Sequence, residues 1–207
     1  MAKALPLTIP HVAEAAARHW PEEVALIENG ERRTFSQLWS ECRKAASALL
    51  ERGVQTGDRI AIWAPNCREW VVAAIAAQIC GAAIVPLNTR LKGREAADIL
   101  RRTNARMLFT VQSFLGTDYP ALLANEDLPQ LVETVLLDTG FDSLLASGKG
   151  VADARIDASM AALGPDHVSD IMFTSGTTGT PKGVLMTHGR ILPQVGVWIG
   201  NTGLAKG

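Results

Sequence analysis

The order of apolar and polar residues predicts a chain in which helices and strands alternate. Apolar positions at helical spacing indicate helices, whereas short runs of consecutive apolar residues between turn signals indicate buried strands. Helices are expected at 10–18, 36–52, 68–80 and 94–102, and strands at 58–63, 82–87 and 106–110. Strands separated by helices of about ten residues are typical of βαβ crossovers, so the pattern predicts an α/β fold with a mostly parallel sheet.

A β-hairpin is predicted near the start of the chain. Two short strands, 24–27 and 32–35, flank Asn29 and Gly30. Both turn residues tolerate the positive φ that a tight hairpin turn requires.

The ends of the predicted helices have suitable capping residues. Ser36 is placed to cap the second helix, and Gly53 and Gly81 are placed to end the second and third helices. A hydroxyl at the first position and a glycine after the last are common helix boundaries.

The stretch from 112 to 166 has weaker patterns. A helix is expected at 119–123 and a strand at 134–138, and the glycines around 148–164 indicate a loop-rich segment. No internal repeat and no long linker divides the chain, which indicates one continuous unit.

An apolar stretch of 18 residues over 70–87 is close to the length of a membrane span. Gly81 and Pro86 interrupt it, and a membrane helix needs about 18 or more uninterrupted apolar residues. A buried helix that runs into a buried strand explains it better. With no apolar signal peptide at the start, the sequence predicts a soluble, cytoplasmic chain without a transmembrane segment.

Composition excludes several classes of protein. The chain has 207 residues, 47% of them apolar, which excludes a disordered chain. Twenty Lys and Arg residues against 21 Asp and Glu residues leave no basic surplus for nucleic-acid binding. Cys42, Cys67 and Cys80 form no C-x-x-C pair and are expected to be buried thiols, and the four histidines form no ligand-spaced cluster.

One segment combines glycines, hydroxyls and a lysine directly after an apolar run. In order it contains Thr174, Ser175, Gly176, Thr177, Thr178, Gly179, Thr180, Pro181 and Lys182. Glycines allow backbone N–H groups to approach an anion, hydroxyls add small donors, and a lysine adds a point charge for phosphate. The composition and order predict a polyphosphate-binding segment, called here the phosphate segment (174–182).

The phosphate segment differs from the Walker type of P-loop. That pattern has a glycine before its lysine and a serine or threonine after it. Here Pro181 precedes Lys182 and Gly183 follows it. A conventional nucleoside triphosphatase is therefore disfavoured.

Residues 173–184 resemble, at every position, the phosphate-loop signature of the adenylate-forming superfamily, which includes acyl-CoA synthetases, aryl-CoA ligases, luciferases and peptide-synthetase adenylation domains. Further stretches resemble the N-terminal region of that family in the same order: 33–38, 57–62, 65–66 and 81–88. The bacterial acyl-CoA synthetases are the nearest type, and 114–119 is similar to ligases of actinobacterial steroid and fatty-acid catabolism.

The resemblance implies a partial large N-terminal domain. Residues 1–207 would form the N-terminal part of an AMP-binding (adenylation) domain, with a sheet incomplete at the C-terminus and with the mobile C-terminal domain absent. The implied reaction is ATP-dependent activation of a small-molecule carboxylic acid to an acyl-adenylate and then to an acyl-CoA thioester. ATP, Mg²⁺ and coenzyme A as co-substrate are the implied small molecules. The alternative is a non-catalytic fragment that at most binds nucleotide weakly.

The resemblance also implies roles for individual residues. Residues 175–179 would wrap the β- and γ-phosphates, Lys182 would be the cation beside them, and the Thr177 hydroxyl would lie near Mg²⁺. No catalytic residue is assigned within the chain. His188 either lies near the site or is structural. A set of basic residues is expected to form a solvated rim, with coenzyme A phosphates as the alternative partner: Arg90, Lys92, Arg94, Arg101 and Arg102.

Overall fold

The computed structural model describes residues 8–148, 150–174 and 181–203. The helices are α1 (Ile9–His19), α2 (Phe35–Glu51), α3 (Arg68–Ile79), α4 (Gly93–Thr103), α5 (Tyr119–Leu123), α6 (Phe141–Ser147), α7 (Asp153–Ala161) and α8 (His188–Thr202). The strands are β1 (Val24–Glu28), β2 (Glu31–Thr34), β3 (Arg59–Trp63), β4 (Ala83–Pro86), β5 (Met107–Thr110), β6 (Ser113–Phe114), β7 (Thr117–Asp118), β8 (Glu133–Leu136), β9 (Val168–Thr174) and β10 (Lys182–Thr187).

Six of these strands form the central sheet, in the order β10-β9-β4-β3-β5-β8. The pairs β9-β4, β4-β3, β3-β5 and β5-β8 are parallel, and only β10 runs antiparallel to its neighbour β9. The α/β class and the mostly parallel sheet predicted from the sequence are therefore confirmed.

The middle of this sheet forms the core. Residues Ile60 to Trp63 of β3 have no exposed surface, and β5 is buried along its whole length. Helix α2 packs against α1, α3, α6 and α7, while α4 packs against α5. Strands covered on both faces need consecutive apolar residues, which is the pattern that β3 and β4 show.

The hairpin near the start of the chain is confirmed. Strands β1 and β2 pair antiparallel, and Asn29 and Gly30 have φ values of 50° and 84°. The predicted cap of the next helix was wrong. Thr34 rather than Ser36 is the cap, because its hydroxyl accepts from the Gln37 N–H at 3.2 Å while the Gln37 side chain accepts from the Thr34 N–H at 3.0 Å.

The weakly patterned stretch contains more regular structure than the sequence predicted. Helix α7 occupies much of the segment expected to be loop-rich, α6 lies just before it, and the small β6-β7 hairpin precedes α5. Each helix buries two apolar side chains one turn apart, Phe141 and Leu144 in α6 and Ile156 and Met160 in α7. Burial against α2 thus stabilises helices that are too short to form alone.

The three cysteine side chains are not equally buried. Cys42 and Cys80 are buried, but Cys67 is only half-buried, at the residue before α3, so the prediction of three buried thiols was wrong for one of them. Among the helices described, none combines the length and the apolar character needed to cross a membrane.

Candidate functional site

The phosphate segment joins two paired strands. Strand β9 ends at Thr174 and β10 begins at Lys182, and these two residues are register partners in an antiparallel pair. Because β9 runs parallel to β4, Thr174 lies toward the carboxyl end of the parallel strands. Ligands of open α/β sheets bind outside that edge.

Three of the nine predicted site residues are described by the structure. Thr174 and Lys182 are exposed to solvent, and Pro181 is half-buried. The remaining predicted residues, Ser175, Gly176, Thr177, Thr178, Gly179 and Thr180, lie outside the described residues. The structure thus brings a hydroxyl and a cation together at the paired strand ends.

The strand pair is closely packed just behind these ends. Phe173 and Gly183 are register partners. A Cβ on Gly183 would lie 3.1 Å from Cζ and 3.3 Å from Cε2 of the Phe173 ring. Glycine at 183 therefore leaves room for the ring against the neighbouring strand, and the ring itself packs against the main core.

Arg102, at the end of α4, contacts both strand ends. Its Nη1 donates to the Pro181 carbonyl oxygen at 2.9 Å, and its guanidinium carbon lies 5.0 Å from the centroid of the Phe173 ring. Nη1 also donates to the Asp98 carboxylate at 3.3 Å. The sequence predicted that Arg102 would only be solvated, whereas in the structure it also contacts Pro181 and Phe173.

The other members of the predicted basic rim do not approach these strand ends through any contact in the described part of the chain. Arg101 donates from Nη1 to the Glu126 carboxylate and to the Asp127 carbonyl, both at 3.2 Å. Arg90, Lys92 and Arg94 are exposed near the start of α4. No contact in this part of the structure tests the alternative that coenzyme A phosphates bind this rim.

His188 lies at the opposite end of β10 from Lys182. It is 1% exposed, and its Nδ1 accepts from the Ile9 N–H at 3.3 Å. Burial, followed by the proximity of His167 and His11, lowers the pKa of His188 from 6.5 to about 4. The sequence left two roles open for His188. Its contacts support the structural role, because the His188 side chain joins the start of α8 to the start of α1.

Asp170 has the one clearly perturbed carboxyl in the described residues. Burial raises its pKa, partly opposed by a hydrogen bond from Ser169. Its Oδ2 is buried without a hydrogen-bond partner among the described residues. Asp170 pairs with Ile84 of β4, so it lies within the sheet rather than at the strand ends where Lys182 is exposed.

The side chains of the phosphate segment offer hydroxyl oxygens but no carboxylate as ligands for the predicted Mg²⁺. In the described part of the chain, no group of three or more His, Cys, Asp or Glu side chains could hold a metal ion. Thr177, the residue predicted to lie near the metal, is outside that part. Mg²⁺ often keeps several waters and binds substrate phosphates with few protein ligands. A segment of hydroxyls and one lysine, without a carboxylate, fits a metal ion held mainly by ATP.

Comparison with known proteins identifies the family. The family described as AMP-binding enzyme matches residues 13–205. This chain belongs to the AMP-binding enzyme family. The match includes all six strands of the central sheet and the whole phosphate segment. It confirms the resemblance to adenylate-forming enzymes stated from the sequence.

Similar AMP-binding enzymes include named acyl-CoA ligases. The chain is 43% identical over 199 residues to 3-[(3aS,4S,7aS)-7a-methyl-1,5-dioxo-octahydro-1H-inden-4-yl]propanoyl:CoA ligase of Mycobacterium tuberculosis, covering 94% of this chain and 39% of that protein. It is 31% identical over 217 residues to the putative acyl-CoA synthetase YngI of Bacillus subtilis, covering 93% of this chain and 39% of that protein. The chain thus spans about 40% of the length of these relatives.

A solved AMP-binding enzyme shows the same fold. The inhibitor-bound N-terminal domain of FACL13 from Mycobacterium tuberculosis superposes with a TM-score of 0.75 at 29% identity. The match covers 88% of this chain and 44% of that domain. The α/β arrangement described above is therefore that of part of an adenylate-forming N-terminal domain.

Proposed function

We propose that this chain supplies the ATP-phosphate-binding part of a ligase that activates a carboxylic acid. The acid first becomes an acyl-adenylate and then a coenzyme A thioester. The supporting observation is an exposed Lys182 opposite Thr174, at the carboxyl edge of the sheet, in a chain of the AMP-binding family.

In the first step, a carboxylate oxygen of the acid attacks the α-phosphorus of ATP. The bond from that phosphorus to the bridging oxygen breaks, and pyrophosphate leaves. Catalysis of phosphoryl and nucleotidyl transfer relies mainly on positioning and on neutralising the leaving group. The ammonium of Lys182 and the hydroxyls of the phosphate segment would hold the β- and γ-phosphates that become pyrophosphate.

In the second step, the thiolate sulfur of coenzyme A attacks the carbonyl carbon of the acyl-adenylate. The bond between that carbon and the phosphate oxygen breaks, which releases AMP and leaves the thioester. Mg²⁺ bound to ATP would supply further charge neutralisation beside Thr177. No described residue is assigned to acid–base chemistry in either step.

The test is pyrophosphate release by the protein expressed from its complete reading frame, with ATP, Mg²⁺ and a panel of acids. The panel includes a ring-bearing propanoate, as in the name of the Mycobacterium tuberculosis relative, and medium-chain fatty acids. Lys182→Ala is expected to lower kcat/KM for ATP by about 100-fold, the usual scale for loss of one charge-stabilising donor. Thr177→Ala is expected to lower the rate as well.

Lys44→Ala is the matched control, because Lys44 is an exposed lysine of α2 and its loss changes the net charge equally. It is expected to leave the rate unchanged. Full activity of both Lys182→Ala and Thr177→Ala would overturn the phosphate-segment assignment. Absence of pyrophosphate release with every acid would overturn the ligase function.

The second candidate is that the 207 residues alone bind nucleotide weakly without turning it over. It is favoured by the chain's span of about 40% of its relatives' length. Acyl-adenylate formation by the 207-residue chain at the rate of the full reading frame would contradict it.

A further inference from the structure

We propose that Arg102 is a positioning residue that holds the two strand ends bearing Thr174 and Lys182 in register for ATP. The proposal rests on the proposed function, because it concerns the same site. Arg102 is remote in sequence from both ends, 79 residues before Pro181, and belongs to a different element. Its role is therefore set by the fold.

The first contact acts on the peptide unit that begins β10. The Pro181 carbonyl accepts from Arg102 Nη1 at 2.9 Å. Because the peptide bond is planar, that carbonyl and the N–H of Lys182 belong to one rigid unit. Holding the oxygen therefore orients the backbone from which the Lys182 side chain leaves.

The second contact acts on the residue before Thr174. The guanidinium of Arg102 lies 5.0 Å from the centroid of the Phe173 ring, within the range of a cation–π interaction. The opposite strand has Gly183 beside this ring. One guanidinium therefore contacts β9 and β10 at neighbouring positions.

The guanidinium is itself held by its own helix. Asp98, four residues earlier in α4, accepts from Nη1 at 3.3 Å. The two N–H bonds of Nη1 can serve both acceptors while the planar guanidinium covers the aromatic ring. Helix α4 thus holds the Arg102 guanidinium in place beside the adjoining ends of β9 and β10.

Arg101 provides a matched control. It is the preceding residue of the same helix, with a side chain 42% exposed against 37% for Arg102. Its Nη1 also donates to one carboxylate and one backbone carbonyl, but these belong to Glu126 and Asp127 and not to the β9-β10 pair. Arg101→Ala and Arg102→Ala therefore change charge and the C-terminal turn of α4 equally and differ in the contact with β9 and β10.

The first measurement is amide hydrogen exchange of the strand segments 168–174 and 182–187. We expect Arg102→Ala to speed exchange at the loop-side ends of both segments about fivefold, as loss of one typical net hydrogen bond predicts. Arg101→Ala is expected to leave both segments unchanged. Equal exchange in wild type and Arg102→Ala, or equal effects of the two variants, would overturn the proposal.

The second measurement is the steady-state kinetics of pyrophosphate release by the complete reading frame. Arg102→Ala is expected to raise the apparent KM for Mg-ATP about fivefold without changing the KM for the acid, and Arg102→Lys is expected to restore part of that loss. A merely structural role would lower the active fraction and leave the KM for Mg-ATP unchanged, which would overturn the proposal. Failure of the wild type to release pyrophosphate would overturn the ligase function, whereas the exchange comparison would still decide whether Arg102 holds the strand ends.

Discussion

The centre of the sheet and the β9-β10 hairpin with the following helix α8, called here the hairpin region, are both apolar in sequence, but they differ in burial. In β3, Ile60 to Trp63 have no exposed surface. In β10 and α8, Leu185 and Trp198 are each 58% exposed and Val197 is 63% exposed. Apolar runs therefore predict the type of element in both regions, whereas burial depends on which other elements pack against it.

The hairpin region is attached to the rest of the molecule by a few specific contacts. The Gln78 side chain of α3 donates to the Ser169 carbonyl at 3.3 Å, and Arg102 of α4 donates to the Pro181 carbonyl at 2.9 Å. His188 is the one buried residue of α8 among those described. The stability of this region thus depends on polar contacts and on Phe173 more than on a large buried apolar surface.

The largest effect is expected from Trp63→Ala at the centre of the sheet. The Trp63 ring packs edge-to-face on Tyr119 with centroids 4.6 Å apart, and its Nε1 donates to the Asn88 carbonyl at 3.0 Å. Removal leaves a cavity and an unpaired carbonyl, which lowers the unfolding free energy by about 3–5 kcal/mol. Urea denaturation followed by circular dichroism measures this loss.

Trp198→Ala is the matched control in α8, because it makes the same chemical change at an exposed site. It is expected to lower the unfolding free energy by less than about 1 kcal/mol. A comparable loss in both variants would show that α8 is as well packed as the centre of the sheet, contrary to the comparison above.

The second effect concerns pH and the attachment of α8. The pKa of His188 in the folded protein is about 4, below its ordinary 6.5, so the unfolded chain binds more protons between these values. Stability from this residue is therefore fully present above pH 6.5 and is lost as pH falls toward 4. The whole loss is roughly 3 kcal/mol, from 1.4 kcal/mol per pKa unit.

Unfolding free energies measured by urea denaturation at a series of pH values test this expectation. His188→Asn keeps an acceptor for the Ile9 N–H and removes the titration, so its stability should vary less between pH 6.5 and 4 than that of the wild type. The same slope in wild type and His188→Asn would mean that other groups cause the acid sensitivity.

The sequence predicted the central βαβ units because each buried strand there is a consecutive apolar run and because Gly53 and Gly81 follow the ends of α2 and α3. It also contained the signal for the true cap of α2, since Thr34 and Gln37 have the spacing of a capping box. The short α7 was missed because it depends on distant partners. Arg43 of α2 binds Asp153 and Asp157 at 2.7 Å, and no local pattern predicts such a pairing.

In the candidate site, too, some features have a local sequence signal and others do not. The composition of the phosphate segment predicted its chemistry, because glycine, hydroxyl and lysine are adjacent in sequence. The contact of Arg102 with Phe173 and Pro181 had no such signal, since it joins residues more than 70 positions apart that only the sheet order brings together. The sequence therefore supports a prediction of local chemistry, which stays a prediction, but it has no signal for the Arg102 contacts.

The smallest effect on stability is expected from charges placed on the exposed apolar surface of the hairpin region. In the double variant Leu185→Lys and Val197→Lys, both side chains point largely into solvent, so the unfolding free energy should change by less than about 0.5 kcal/mol. Exposed apolar patches promote association, so sedimentation velocity should show less self-association of the 207-residue chain in this variant than in the wild type. Ile27→Lys, 65% exposed in the β1-β2 hairpin, is the control for added charge at a separate apolar site. If Ile27→Lys reduced association equally, general charge rather than the β10 and α8 surface would be the cause, and the contrast between the two regions would have no consequence in solution.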